Sequence, residues 1–206
     1  GFAHVADHFG RGPILLAGDS VHLFTPTGGF GMNTGVDDTA NLGWKIAAMV
    51  QGWGGPDLLA SYELERRPVA IRNTGMSKQF SLNVGKVPVV PDILDASSEG
   101  DGARSELGAH LATFAEEFAS IGVQLGSRYD DSPIIEPDGT PPPDDPSTYI
   151  PTSCPGGRAP HLFLSDGSSL FDHLGIGFTL LVLHGEHDTA AMSHCAETRG
   201  IPFKVL

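Results

Sequence analysis

The apolar run Ile14-Leu15-Leu16-Ala17 stops on Gly18-Asp19, which reads as a short buried strand with a carboxylate at its C-terminal tip. From Asn33 to about Gln51 the period becomes helical. Ala40, Ile46, Ala47, Met49 and Val50 interleave with Asn41 and Lys45, as on a helix lying against a sheet. Gly52, Gly54 and Gly55 end that helix and Pro56 blocks its continuation. Asp57 is placed to cap a second helix with Leu58, Leu59, Tyr62 and Leu64 on its apolar side. Glu63, Glu65, Arg66 and Arg67 then meet water or pair with one another. Pro68 is expected to kink this helix or end its first half, and the pattern resumes over 69–82 through Ile71, Met76 and Phe80. Leu107, Leu111, Phe114, Phe118 and Ile121 recur at three- or four-residue spacing, which predicts an amphipathic helix over 104–121 with its aromatic stripe in the core.

Short strands are expected around Gln124-Leu125 and Ile134-Ile135. The proline-rich stretch 137–146 excludes a helix or a central strand and forms an extended connector. The chain therefore divides into a unit over 1–122, a connector over 123–154 and a second unit over 155–206. In the second unit His161–Leu164 reads as a strand, Ser169–Leu174 as a brief helix, and Phe178–Leu183 as an apolar strand. Ile201–Leu206 reads as another strand.

Between the first strand and the first helix lie Gly28, Gly29, Gly31 and Gly35. Glycines there allow positive φ and close approach of a ligand to the backbone. The helix opening near Met32 or Asn33 offers unpaired N–H groups and the positive end of its dipole, which suits an anionic or carbonyl-bearing ligand. A strand tip in an open α/β sheet is also where ligands gather. Asp37 and Asp38 fall near the helix start and read as dipole partners. Arg66-Arg67 reads as a solvated, salt-bridged face in preference to a phosphate clamp.

Charge narrows the partners. A formal net charge of −13 argues against nucleic acid and anionic membrane, both of which need basic patches. No apolar run is long enough to span a bilayer, and no signal peptide is visible. Cys154 and Cys195 lie far apart without a CxxC, which fits a reducing, cytoplasmic setting. His184, His187, His194 and Cys195 match no zinc spacing, and His4 with His8 lacks a third ligand, so no metal site is expected.

The string Gly18-Asp19-Ser20-Val21-His22, then Pro26-Thr27-Gly28-Gly29-Phe30-Gly31-Met32-Asn33-Thr34-Gly35, then Asp38 and Asn41-Leu42-Gly43-Trp44-Lys45, resembles the second FAD-binding motif of the class A flavoprotein aromatic hydroxylases, the para-hydroxybenzoate and phenol hydroxylase superfamily. Pro155-Gly156-Gly157-Arg158-Ala159-Pro160-His161 resembles the start of the thioredoxin-like C-terminal domain of the phenol and polyketide hydroxylase branch. The resemblance implies an α/β fold: the C-terminal part of an FAD-binding, glutathione-reductase-like Rossmann domain with long helices, followed by a partial thioredoxin-like α/β domain. It implies FAD bound by Gly18, Asp19, Pro26, Gly28, Gly29, Gly31, Met32 and Asn33. Asp19 would accept from a ribityl or ribose hydroxyl, and Pro26 would lie beside the isoalloxazine. The Met32 and Asn33 amides would bond the pyrimidine carbonyl, with the glycines permitting the approach.

The implied reaction uses NAD(P)H and dioxygen, through a flavin hydroperoxide, to hydroxylate a phenolic or polycyclic aromatic substrate. No catalytic side chain is required from this stretch, and His22 is expected to be structural. The family's GxGxxG fingerprint does not occur here, so the sequence is expected to be an internal fragment, inactive alone. A non-catalytic interaction module, a flavoprotein epoxidase and a Baeyer–Villiger oxygenase stay open, as does a homodimer.

Overall fold

The computed structural model describes residues 2–206. The order of elements is β1 (His4–Val5), β2 (Gly10–Arg11), β3 (Ile14–Leu15), β4 (His22–Leu23), α1 (Phe30–Gln51), α2 (Ala60–Val84), α3 (Ser98–Ala112), α4 (Ile121–Leu125), α5 (Leu170–His173), β5 (Phe178–Leu180), α6 (Ala190–Thr198) and β6 (Phe203–Val205). The strands form three two-stranded ribbons. β1–β4 and β2–β3 are antiparallel and β5–β6 is parallel.

The expected strand over 14–17 is shorter and less buried than its apolar run suggested. Only Ile14 and Leu15 pair, with Arg11 and Gly10, and Ile14 is 65% exposed. The ribbon has no third strand or covering layer on that side among the described residues.

Both long helices form. α1 ends where Gly52 takes φ 82° and returns its N–H to the Ala48 and Met49 carbonyls, a turn open to glycine because it has no Cβ. α2 starts after Leu59, not at Asp57, and runs unbroken through Pro68. The missing proline N–H leaves the Leu64 carbonyl without its helical donor. Leu64 and Pro68 both lie on the exposed face of the helix. Glu65, Arg66, Val69 and Ala70 are buried on the other side and hold the helix in line.

α1 and α2 pack through stripes of correct helical spacing but unexpected chemistry. α1 buries Thr34, Asp38, Asn41, Leu42, Lys45 and Ala48. α2 buries Ser61, Tyr62, Glu65, Arg66, Asn73, Thr74 and Ser77 among others. Of the apolar residues that defined the helical pattern, Leu58, Tyr62 and Phe80 are buried, but those of α1 point outward, Val50 being 82% exposed, as does Leu64 at 51%. Arg66 and Glu65, being buried, do not form a solvated face. Two apolar clusters form, Phe9, Val21, Leu42, Tyr62 and Ala70, and Phe30, Phe80 and Val123.

The stripe expected over 104–121 breaks up. α3 ends at Ala112, short 3₁₀ and helical turns follow, and Phe118 is 85% exposed. Leu111 and Ile121 are exposed as well, so that stripe is not core. The strands expected near Gln124-Leu125 and Ile134-Ile135 are not formed. The first is helix α4, and the second lies in turns held by Ile135 N–H to the Ser132 carbonyl.

Residues 137–146 carry no regular structure. Beyond them the His161–Leu164 strand reduces to one bridge, Phe163 to Ser169. β5, α6 and β6 form a parallel β–α–β unit. That unit meets α1 through Phe178, whose ring lies 6.1 Å from both Trp44 and Trp53 in edge-on geometry.

Candidate functional site

The strand tip at Gly18–Ser20 is one 3₁₀ turn. Gly18 takes φ 61°, and Ser20 Oγ donates to the Ala17 carbonyl at 2.8 Å. The turn lies directly on α1: a Cβ built on Gly35 would stand 3.2 Å from the Gly18 Cα, so the two backbones approach as only glycines permit. Asp19 is exposed, and no protein donor takes its carboxylate among the described residues.

The loop between β4 and α1 is held from below by α2. Ser77 Oγ lies 2.8 and 2.9 Å from the Thr25 and Thr27 carbonyls, which share its proton, and accepts from the Thr25 hydroxyl at 2.6 Å. Pro26 is exposed, and its carbonyl accepts from Gly29 N–H at 3.3 Å. Gly28 and Gly29 have φ 83° and 67°. At Gly28 an added Cβ would meet the Phe30 ring at 2.6 Å, whereas at Gly29 it would meet nothing within 4 Å. The first glycine is thus required by packing and the second faces open space.

α1 begins at Phe30, two or three residues earlier than its apolar pattern suggested, and Gly29 provides no side-chain cap. The unpaired amides of the first turn are those of Phe30, Gly31 and Met32. Asn33 lies one position further in, where its own amide meets the Gly29 carbonyl in helical register, and its side-chain Nδ2 donates to that carbonyl at 2.9 Å. Met32 is 77% exposed. An open groove lined by Gly28, Phe30, Asn33, Thr34, Asn73 and Gln124 runs beside this turn. Gly35 stands one turn beyond Met32, about 4.5 Å along the axis, so the Gly18–Gly35 contact brings Asp19 and the free amides to the same end of α1.

Beneath this surface lies a closed polar network that motif reading did not find. Asp38 is fully buried. Its Oδ2 accepts from the Gly18 N–H at 3.1 Å and from His22 Nε2 at 2.7 Å, and its Oδ1 accepts from Arg66 Nε at 2.8 Å. Burial alone would raise the Asp38 carboxyl, but His22, Arg66 and the Gly18 amide outweigh it and hold the group below its ordinary value of 3.8. Arg66 also donates to the Thr34 carbonyl at 3.2 Å and the Tyr129 hydroxyl at 3.0 Å. His22 is enclosed, and its Nδ1 has no partner.

Two turns further along α1, Lys45 Nζ donates to Ser61 Oγ at 2.7 Å and to Glu65 Oε2 at 2.5 Å. Glu65 also accepts from Asn41 and Ser132, both at 2.6 Å. Asp38 is thus no helix-end dipole partner but the group that fixes the Gly18 turn onto α1. Its spacing to Thr34, Asn41 and Lys45 was the available signal: polar residues recurring at the core-facing period.

A flavin fits these residues on structural grounds. The open Gly29 position accepts a planar ring against the backbone, the uncapped amides match a ring carbonyl, and Asp19 is free to accept from a sugar-like hydroxyl.

A family model described as "FAD binding domain" matches residues 3–77. The "FAD-dependent monooxygenase opdD" of Penicillium oxalicum is 40% identical over 82% of this chain and 33% of its own length. The chain is related to the FAD-dependent monooxygenases. Phenol 2-monooxygenase of a Pseudomonas species is a further relative, 31% identical over 98% of this chain and 37% of its own. Among solved structures, RebC with bound 7-carboxy-K252c superposes with a TM-score of 0.89 at 35% identity, covering 98% of this chain and 39% of that one. The flavin-dependent monooxygenase PieE, solved with FAD and substrate, gives 0.83 at 31% identity, covering 98% and 39%. The chain therefore has the α/β fold of the FAD-binding monooxygenases and spans about a third of the curated relatives it matches first.

The depressed Asp38 carboxyl gives the chain a testable acid response. A carboxylate held below its unfolded value contributes stability at pH values above that value, and the contribution is lost as pH falls through the folded one. Urea unfolding midpoints are expected to fall on acidification below about pH 4. Asp38→Asn should remove part of that slope. An unchanged slope in the variant would show that Asp38 titrates alike in the folded and unfolded protein.

Proposed function

We propose that this chain carries the flavin-facing part of a longer FAD-dependent monooxygenase that hydroxylates a phenolic or polycyclic aromatic compound with NAD(P)H and dioxygen. One observation carries the reading: an uncapped helix N-terminus, a glycine loop with an open Cα position and a free carboxylate share one end of α1. The open position at Gly29 admits the ring beside Pro26, with Gly28 and Gly31 backed by Phe30 and Phe24. The amides of Gly31 and Met32 donate to its pyrimidine carbonyl, Asn33 supports the turn through its side chain, and Gly18 places Asp19 to accept from a ribityl or ribose hydroxyl. FAD, when bound, supplies the redox chemistry that activates dioxygen.

This chain's residues bind, orient and stabilise. The positive end of α1 favours the negative charge that gathers at the ring carbonyl on reduction. His22, enclosed and committed to Asp38, is structural. The unit over 1–122 belongs to the FAD domain, 123–154 connects, and 155–206 is part of a thioredoxin-like domain. The exposed apolar side chains of α1 and β3, Ile14, Val36 and Val50 among them, support packing of further FAD-domain structure on that face. Among the described residues no helix is long and apolar enough to cross a membrane. Two free cysteines support a cytoplasmic setting, and a homodimer is the assembly we would test first.

Expressed in frame with its upstream coding sequence, the chain should yield a yellow protein that consumes NAD(P)H when given a phenol. Asp19→Ala should weaken FAD binding roughly tenfold or more, the effect of losing one hydrogen bond to a charged group. An exposed side chain without a protein partner should leave thermal unfolding unchanged. A colourless parent protein would overturn the reading. FAD affinity indifferent to Asp19 would remove Asp19 from the site.

A further inference from the structure

We infer that Tyr129 is a positioning residue for the FAD cradle, holding Arg66 on Asp38 and so tying the Pro155–Arg158 loop to the Gly18 turn. The inference rests on the FAD reading above.

Tyr129 follows α4 and is half-buried. Its hydroxyl accepts from Arg66 Nη1 at 3.0 Å, while its own N–H donates to the Gly156 carbonyl at 2.9 Å. Its neighbour Arg128 donates from Nη2 to the Pro155 carbonyl at 2.8 Å. Three residues on, Ser132 grips Glu65, the residue next to Arg66 on α2. Residues 128–132 are therefore clasped onto both buried ion pairs and onto the loop that opens the C-terminal unit.

The guanidinium is a rigid planar fork whose donors point in fixed directions. In Arg66, Nε is on Asp38, Nη2 on the Thr34 carbonyl and Nη1 on Tyr129. Asp37 stands at 3.9 Å from Nη2 with an exposed carboxylate. It is the competing acceptor on that side. Without the Tyr129 hydroxyl, Nη1 loses its acceptor in a buried place, and an unmatched buried donor is costly. The fork then gains by turning toward Asp37. That motion loosens Nε from Asp38 Oδ1, and Asp38 is the group that accepts the Gly18 amide. The turn carrying Asp19 loses its fixed position.

The test uses the full-length flavoprotein. Tyr129→Phe removes one hydroxyl and keeps the ring. FAD affinity, read by quenching of flavin fluorescence, should fall about tenfold, with the unfolding temperature of the FAD-free protein lowered only slightly. Adding Asp37→Asn to Tyr129→Phe removes the competitor and should restore most of the affinity, an effect that a purely structural role would not produce. A parent that binds no FAD would defeat the FAD reading itself. A parent that binds FAD with Tyr129→Phe equal to it would overturn the inference alone. Weakening that Asp37→Asn does not reverse, or a variant too unstable to hold its fold, would overturn it too by leaving Tyr129 a merely structural part.

Discussion

Arg66→Leu is expected to destabilise the protein by about 3–5 kcal/mol, the effect of removing one partner of a buried ion pair. Arg66 is 1% exposed and Asp38 is fully buried. The leucine would leave Asp38 with only His22 and the Gly18 amide as donors. It would also leave the Thr34 carbonyl and the Tyr129 hydroxyl without the guanidinium. Burial opposes the Asp38 carboxylate, and that opposition is met jointly by His22, Arg66 and Gly18, so loss of Arg66 should also raise the pH at which the protein acid-unfolds. Adding Asp38→Asn should recover part of the loss by removing the uncompensated charge. Chemical denaturation followed by far-ultraviolet circular dichroism reads both variants. A loss under about 1 kcal/mol, the range of exposed pairs, would mean that the Arg66–Asp38 pair is solvated in solution.

The second large effect is expected at Lys45, two turns beyond Asp38 on α1. Lys45→Met keeps the length and apolar stem of the side chain but removes the ammonium from Glu65 and Ser61. Burial already holds the Lys45 amine below its ordinary value, a pull that the Glu65 hydrogen bond offsets only in part. The pair is therefore a costly arrangement whose two halves depend on each other. The single variant should lose about 3–5 kcal/mol, because Glu65 stays buried without its cation. Lys45→Met with Glu65→Met should recover some of that, since a buried pair replaced by apolar side chains is often near neutral. Recovery should stop short of the parent. Asn41 Nδ2 and Ser132 Oγ both donate to Glu65 and would be left unmatched. Full recovery, read from urea midpoints, would show that water reaches those donors.

The cradle was more legible in the sequence than the core beneath it. Gly28 and Gly29 take the positive φ expected of the loop, and Gly52 the one expected of a helix end, whereas Gly31 and Gly35, grouped with the first two, lie inside α1 without it. The same reading placed α1 within a few residues of its observed start. On sidedness it held only in part. Leu58, Tyr62 and Phe80 are buried as the pattern required, yet Ile46, Met49, Val50, Leu64 and Ile71 of the same pattern are exposed, while Asp38, Lys45, Glu65 and Arg66 are inside. Period told that helices form here; it could not tell which face turns inward, because the polar stripe has the same spacing as an apolar one. Phe118 failed similarly: its stripe assumed one continuous helix, and a break after Ala112 put its positions on different faces.

Alone, the sequence determined where the backbone bends, because a missing Cβ acts at a single residue and needs no neighbour. The burial of four charged side chains was decided only by the tertiary structure. A charge leaves water only when an opposite charge arrives from another element, and for Asp38 and Arg66, 28 positions apart, that meeting exists only once α1 and α2 have packed.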